Sequence, residues 1–154
     1  WRGTAQRIAK AYPGVAVDYM FVDNAAMQII RQPAWFDVIV TENMFGDILT
    51  DEASVISGSL GMLSSASVGA EVALFEPIHG SYPQAAGKNI ANPMATILSA
   101  AMLLEHLGLD AEGKAVRRAV DKALADGIVT EDLAVAGGRA YSTSEVGDYV
   151  AKNV

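Results

Sequence analysis

The sequence contains no cysteine, which excludes disulfide bonds, thiolate metal sites and cysteine nucleophiles. Basic residues are few: 11 lysines and arginines stand against 18 acidic residues, and the net charge of −7 argues against a nucleic-acid partner held through its phosphates. Long apolar runs are also absent, because the longest, residues 95–104, is interrupted by Ser99, whereas a membrane helix needs about 20 apolar residues. The first residues are neither a signal peptide nor a start methionine. What is present is a 154-residue chain that is 51% hydrophobic, enough for a globular core.

The hydrophobic pattern predicts an α/β chain in which strands and helices alternate at first. We expect helices over residues 2–11, 24–31 and 43–57, with Asn43 as the N-cap of the third, and strands over residues 15–22 and 36–41. From Ser57 to Pro93 the chain is rich in glycine, with one short strand at residues 72–75, and such a long loop is more often functional than idle. Helices should follow at residues 94–107, 112–125 and 144–152, and a domain boundary is expected near Gly58.

Two carboxylates four residues apart, Asp47 and Asp51, are the strongest local signal. On a helix this spacing places both on one face, one turn apart, where like charges repel mildly. A hard divalent cation such as Mg²⁺ or Mn²⁺ would remove that repulsion. The alternative is a solvated acidic face, but the apolar residues around the pair favour a cleft over that interpretation.

Asp23 follows the expected strand and precedes a helix, a usual place for a ligand group in an α/β sheet. An N-cap role for the following helix explains the same residue equally well, and the spacing alone does not decide between them.

The segment from residue 76 to 93 combines a histidine with glycines, hydroxyls and amides, a composition that can enclose a polar small molecule. It contains neither a G-x-G-x-x-G nor a Walker sequence. By contrast, His106 should be a surface residue in the last turn of a helix, and the basic cluster Arg117, Arg118 and Lys122 should be an ordinary solvated face.

Four motifs occur in order along the chain: NMFGDILTD at 43–51, GSLGML at 58–63, EPIHGS at 76–81 and AGKNIANP at 86–93. Together they resemble the isocitrate/isopropylmalate family of metal-dependent β-decarboxylating dehydrogenases, over essentially all 154 residues. The resemblance implies an α/β fold, namely the C-terminal part of a layered α/β/α architecture that differs from the usual dinucleotide-binding fold. It also implies that residues 1–57 belong to a central substrate, metal and dimerisation domain, and residues 58–154 to the nucleotide-side domain.

Site roles follow from the resemblance. A homodimer would share a Mg²⁺ or Mn²⁺ site, with Asp47 and Asp51 from one subunit and Asp23 from the other. The residues implied to hold the adenosine part of NAD are His79, Gly80, Ser81, Tyr82, Pro83, Gln84, Ala85 and Asn92. Two of these depart from the family pattern: Gln84 replaces a frequent aspartate, which weakens the preference for NAD over NADP, and Ala85 replaces a larger isoleucine.

The implied reaction is oxidation and decarboxylation of a small 2-hydroxy acid, 3-isopropylmalate in leucine biosynthesis, with D-malate, tartrate and isocitrate as alternatives. The chain corresponds to about the C-terminal half of the family's length, and the family's catalytic residues would lie upstream of Trp1. We therefore expect no catalytic residue and no turnover in this segment alone. A non-catalytic half-enzyme that keeps the dimer surface and the nucleotide loop is the other alternative. An acidic, cysteine-free chain also fits a cytoplasmic enzyme.

Overall fold

The computed structural model describes all 154 residues, which divide into two compact units, Trp1–Leu49 and Thr50–Val154. The division lies within a helix, eight residues before the boundary that we expected near Gly58. That domain boundary stays a prediction. None of the helices is both long and apolar enough to cross a membrane.

The first unit is helical. It contains α1 (Arg2–Ala9), α2 (Val22–Arg31) and the first turns of α3 (Asn43–Ser57), with a single 3₁₀ turn at Pro33–Trp35. Its buried apolar side chains are few, Ala25, Ile29 and Leu49. The three predicted helices are thus confirmed, with ends that differ by two residues or fewer.

The strands predicted at residues 15–22 and 36–41 are wrong for this structure, in which neither segment is paired. The backbone is nevertheless extended at Phe21 and Phe36, which have ψ angles of 147° and 121°. Strand formation requires a neighbour that takes up the N–H and C=O groups, and this chain offers none to either segment. The β-branched composition therefore yields extended chain without a sheet.

The second unit holds the sheet and most of the core. β1 (Ser64–Val68) and β2 (Ala73–Pro77) form an antiparallel pair in which Ala66 lies opposite Phe75. The short strand expected at residues 72–75 corresponds to β2. β1 was missed because its sequence, SSASV, contains only one strong β-former.

Three helices complete this unit: α4 (Met94–His106), α5 (Asp110–Ala125) and α6 (Thr143–Ala151). All three were predicted to within two residues. Their shared core is formed by side chains that are almost fully buried, among them Met94, Val120 and Val146. α4 packs against α5 and against both strands, while α6 packs on α5. α4 is therefore the central element on which the surrounding loops are arranged.

Two local predictions need correction. Asn43 is not an N-cap, because it is already helical and the carboxylate of the preceding Glu42 accepts the backbone N–H of Phe45 at 3.1 Å. The cluster expected to be a solvated basic face is partly engaged, since Arg117 makes a two-pronged ion pair with Glu105 of α4 at 2.7 and 2.9 Å. His106 does lie exposed in the last turn of α4, near the Phe75 ring.

Candidate functional site

A groove of about 540 Å³ lies in the second unit, between the end of the hairpin and the start of α4. Five of the residues expected to hold a nucleotide line this groove: His79, Gly80, Ser81, Tyr82 and Asn92. The other three, Pro83, Gln84 and Ala85, form a 3₁₀ turn directly after Tyr82 and are not part of its lining. The structure thus brings together the two ends of the 79–92 segment around one space.

The first wall of the groove, residues 79–82, directly follows the hairpin. β2 ends at Pro77, and the next residue donates its backbone N–H to the carbonyl of Leu63 at 3.2 Å, which extends the ladder by one bond. His79 follows immediately, half-buried, with Nδ1 3.1 Å from the carbonyl oxygen of Gly80. A short strand therefore places the histidine at the groove by backbone hydrogen bonding.

The second wall, residues 90–92, is tied to the first turn of α6. Asn89 adopts φ of 56°, a left-handed conformation that asparagine tolerates better than most residues. Its side chain exchanges two hydrogen bonds with Ser144, accepting from the backbone N–H at 3.1 Å and donating to the hydroxyl at 2.8 Å. Thr143 adds a hydroxyl donation to the carbonyl of Ala91 at 2.6 Å. These bonds hold the segment that carries Asn92.

Both polar atoms of the Asn92 side-chain amide are hydrogen-bonded within the protein. Its Oδ1 accepts the backbone N–H of Met94 at 2.9 Å and so satisfies a free donor at the start of α4. Its Nδ2 donates to Asp132 at 3.0 Å. Gly61 faces it so closely that a Cβ built there would lie 2.7 Å from Asn92 Cβ. The side chain therefore fits only because residue 61 has none.

Asp132 is the residue of this site that the sequence interpretation missed. Its carboxylate accepts hydrogen bonds from Asn92, from the hydroxyl of Ser59 and, at 2.5 Å, from the hydroxyl of Thr130. Partial burial alone would raise the pKa of Asp132, but the hydrogen bonds from Ser59, Thr130 and Asn92 outweigh it and hold the pKa below the ordinary value. The only available signal was an acid in a loop shortly after Ile128 and Val129, which is too common to be informative.

The carboxylates in the lining of the groove are not balanced by any lysine or arginine. Glu131 and Asp132 contribute carboxylates to its lining, and no lysine or arginine is part of it. A phosphate group would meet no side-chain cation there and would be repelled by the acids. The groove is better suited to the uncharged, hydrogen-bonding part of a ligand, such as a nucleoside.

None of the three expected metal ligands is part of the lining of the groove. Asp47 and Asp51 are exposed on α3, and Asp47 also accepts a hydrogen bond from Asn43 at 3.0 Å. Asp23 is exposed in the first turn of α2, where its carboxylate accepts the backbone N–H of Asn24 at 2.8 Å. No group of three histidine, aspartate or glutamate side chains in the chain is arranged to hold a metal ion.

The apolar cover that we expected around the α3 pair is not present in this structure. Three of the five apolar neighbours behind that expectation, Phe45, Ile48 and Val55, are exposed, Val55 by 77%, and only Leu49 is buried. Apolar neighbours therefore do not enclose the two carboxylates in this chain, whereas Asp47 and Asp51 do lie one turn apart on a continuous helix.

Comparison with known proteins identifies the chain's relatives. The sequence matches the model of the family described as isocitrate/isopropylmalate dehydrogenase over residues 1–150. Curated 3-isopropylmalate dehydrogenases from Bacteroides fragilis and Geobacillus kaustophilus are 58% and 60% identical over 99% and 95% of the chain. The chain spans only 44% and 40% of their lengths. The crystal structure of isocitrate dehydrogenase from Methylococcus capsulatus superposes with a TM-score of 0.92 at 41% identity, covering 98% of this chain and 44% of that one. The predicted fold class is confirmed by these matches.

Proposed function

Because the chain belongs to the isocitrate/isopropylmalate dehydrogenase family, we propose that it is the C-terminal part of an NAD-dependent dehydrogenase that oxidises and decarboxylates 3-isopropylmalate in leucine biosynthesis. The observation that carries the proposal is the groove, which gathers the histidine loop and Asn92 at the start of α4. The substrate is supported by the names of relatives that are 58–60% identical to this chain.

The adenosine half of NAD is the part that the groove suits. Its lining offers hydroxyl, amide and backbone groups together with Tyr82, whereas the pyrophosphate would find no cationic side chain. Gln84 lies in the turn just outside and is exposed. A neutral amide there can bond a ribose hydroxyl and does not repel a 2′-phosphate, so discrimination against NADP should be modest.

Asp23, Asp47 and Asp51 would be the protein ligands of Mg²⁺ or Mn²⁺. Exposed carboxylate oxygens are the donors that such hard cations take, so the residues fit the ion. The proposal includes a homodimer, with Asp47 and Asp51 from one subunit and Asp23 from the other, and it rests on membership of the family. When bound, the cation supplies electrostatic stabilisation of negative charge that develops on the substrate during decarboxylation.

The first test is nucleotide binding by the 154-residue chain. Calorimetric titration with NAD should show saturable binding, and Asn92→Ala should weaken it because the groove wall loses its amide. Asn153→Ala, an amide truncation near the C-terminus at a residue that does not line the groove, is the matched control. Absence of NAD binding by the unaltered chain would overturn the assignment of the groove.

The second test concerns turnover. The 154 residues are to be joined to the remaining part of the Geobacillus kaustophilus relative, and NAD reduction measured with 3-isopropylmalate and Mg²⁺. The chimera should be active, the segment alone should not, and Asp51→Asn should lower the chimera's activity by about 100-fold, as loss of a metal-site group does. Asp148→Asn, an exposed helical aspartate outside the site, should leave the activity unchanged. Full activity of Asp51→Asn would refute the metal assignment.

A sibling activity is the second candidate, because the superposed solved structure is an isocitrate dehydrogenase. Its identity of 41% is lower than the 58–60% of the isopropylmalate relatives, which favours 3-isopropylmalate. Activity of the natural full-length protein on isocitrate, D-malate or tartrate in preference to 3-isopropylmalate would reverse this choice.

A further inference from the structure

We propose that Asp132 is a positioning residue: its carboxylate orients the side-chain amide of Asn92 in the groove wall and thereby sets the affinity for the nucleotide. The second half of this inference rests on the proposed function, since it requires the adenosine part of NAD to occupy the groove.

Asp132 joins three segments that are distant in sequence at one side chain. Ser59 precedes the hairpin, Asn92 precedes α4, and Asp132 itself lies in the connection between α5 and α6. Ser59 and Asn92 donate to the same oxygen, Oδ2, while Oδ1 accepts from Thr130, whose side chain is buried. A link of this kind fixes the relative places of two groove-lining segments without itself needing to touch the ligand.

The two hydrogen bonds of the Asn92 amide determine its orientation. With Oδ1 of Asn92 committed to the backbone N–H of Met94, a flipped amide would set NH₂ against that N–H and a carbonyl oxygen against the Asp132 carboxylate. Both contacts of the flipped form would be repulsive, so a single orientation survives. In this orientation one N–H of Nδ2 is used by Asp132, and the other remains a donor for an acceptor atom of the ligand.

The neighbours of residue 132 require a hydrogen-bond acceptor at this position. All three neighbours approach as donors, which a carboxylate satisfies completely. An asparagine could reproduce the arrangement, because its oxygen can accept from Ser59 and Asn92 while its NH₂ donates to the Thr130 hydroxyl, which can also accept. An alanine leaves two groove-lining donors without their partner.

The experiment compares Asp132→Ala with Asp132→Asn, with Asp148→Ala as the control at an exposed helical aspartate. NAD affinity of the 154-residue chain is measured by calorimetry. Asp132→Ala should raise the dissociation constant about tenfold, as loss of a charge-assisted hydrogen bond predicts. Asp132→Asn and Asp148→Ala should remain within about twofold of the unaltered chain. Equal affinity of Asp132→Ala and the unaltered chain, or failure of Asp132→Asn to restore it, would overturn the proposal.

A second readout separates this inference from the proposed function. The side-chain NH₂ resonances of Asn92 are followed by NMR without nucleotide. In Asp132→Ala the N–H that Asp132 holds loses its acceptor, so its resonance should move to the position of a solvent-exposed amide, whereas in Asp132→Asn it should stay displaced from that position. If the unaltered chain binds no NAD, the proposed function fails while these resonances still decide whether Asp132 orients Asn92. Should Asp132→Ala not fold, Asp132→Asn and Ser59→Ala are compared instead. Ser59→Ala removes a competing donor to the same oxygen, so the Asn92 resonances should keep their positions, and a shift to the positions of a solvent-exposed amide would refute the proposal.

Discussion

Substitution of Gly61 by alanine is the sharpest probe of the groove's packing. A Cβ at this position would lie 2.7 Å from Asn92 Cβ and 2.9 Å from both Cγ and Nδ2 of the same side chain. Favourable carbon–carbon contacts begin at about 3.5 Å, so one side must move by nearly 1 Å. Asn92 cannot move freely, because its amide is bonded to Met94 and to Asp132.

The expected cost has two parts. Overpacking of this kind costs about 1–3 kcal/mol, and breaking one hydrogen bond of Asn92 to relieve it costs about 1 kcal/mol. Because the chain relaxes by whichever route is cheaper, Gly61→Ala should lower the free energy of unfolding by about 1–3 kcal/mol. Urea denaturation measures this loss as a lower midpoint with an unchanged slope.

Gly147→Ala provides the matched control for Gly61→Ala. It makes the same chemical change within α6, where a Cβ meets no atom within 4 Å. A Gly61→Ala variant as stable as the unaltered chain, to within about 0.5 kcal/mol, would refute the reasoning that residue 61 is a glycine to make room for Asn92. If Gly61→Ala is less stable but binds NAD as tightly as the unaltered chain, Gly61 makes room for Asn92 and this packing does not affect NAD binding.

Three other measurements test the second unit. Gly147→Ala should itself raise the free energy of unfolding by about 0.5–1 kcal/mol, since alanine favours the helix interior, as thermal or urea unfolding would show. Ser142→Ala should lower it by about 1 kcal/mol in the same assay, because the capping box with Glu145 is lost. The lowered pKa of Asp132 stabilises the fold above the ordinary value of 3.8, and this contribution is lost as the pH falls through the folded pKa. Unfolding free energies measured from pH 6 to pH 2 should therefore fall more for the unaltered chain than for Asp132→Asn; parallel curves would contradict this.

The helices of this chain were predictable because their signals are local. α4 and α5 are each followed by a glycine in the left-handed conformation, Gly108 with φ of 79° and Gly127 with φ of 70°. The stop signal and the apolar periodicity lie within the same short window of sequence. No distant part of the chain is needed to read them, and both helix ends were placed within two residues.

The strands show the opposite behaviour. Residues 36–41 have the composition of a buried strand, yet Val40 is 76% exposed and the segment is unpaired. β1, with three serines among its five residues, pairs fully with β2. Strand formation depends on whether a partner backbone is present, and composition reports only how well a side chain suits a sheet that already exists. The two errors therefore have one cause.

Only part of the candidate groove was predicted from the sequence, namely the 79–92 segment, and Asp132 was missed. His79 and Asn92 belong to one segment whose unusual composition drew attention to it, whereas Asp132 lies 40 residues beyond Asn92. Each of the three supporting features is ordinary on its own: a glycine, an asparagine before a proline, an acid in a loop. A glycine at position 61 is explained only by the Asn92 side chain that lies against it. An aspartate at position 132 is explained only by the single orientation in which it holds the Asn92 amide. The information that defines this wall is a set of mutual constraints between residues, and such constraints are visible only once the fold has brought the residues together.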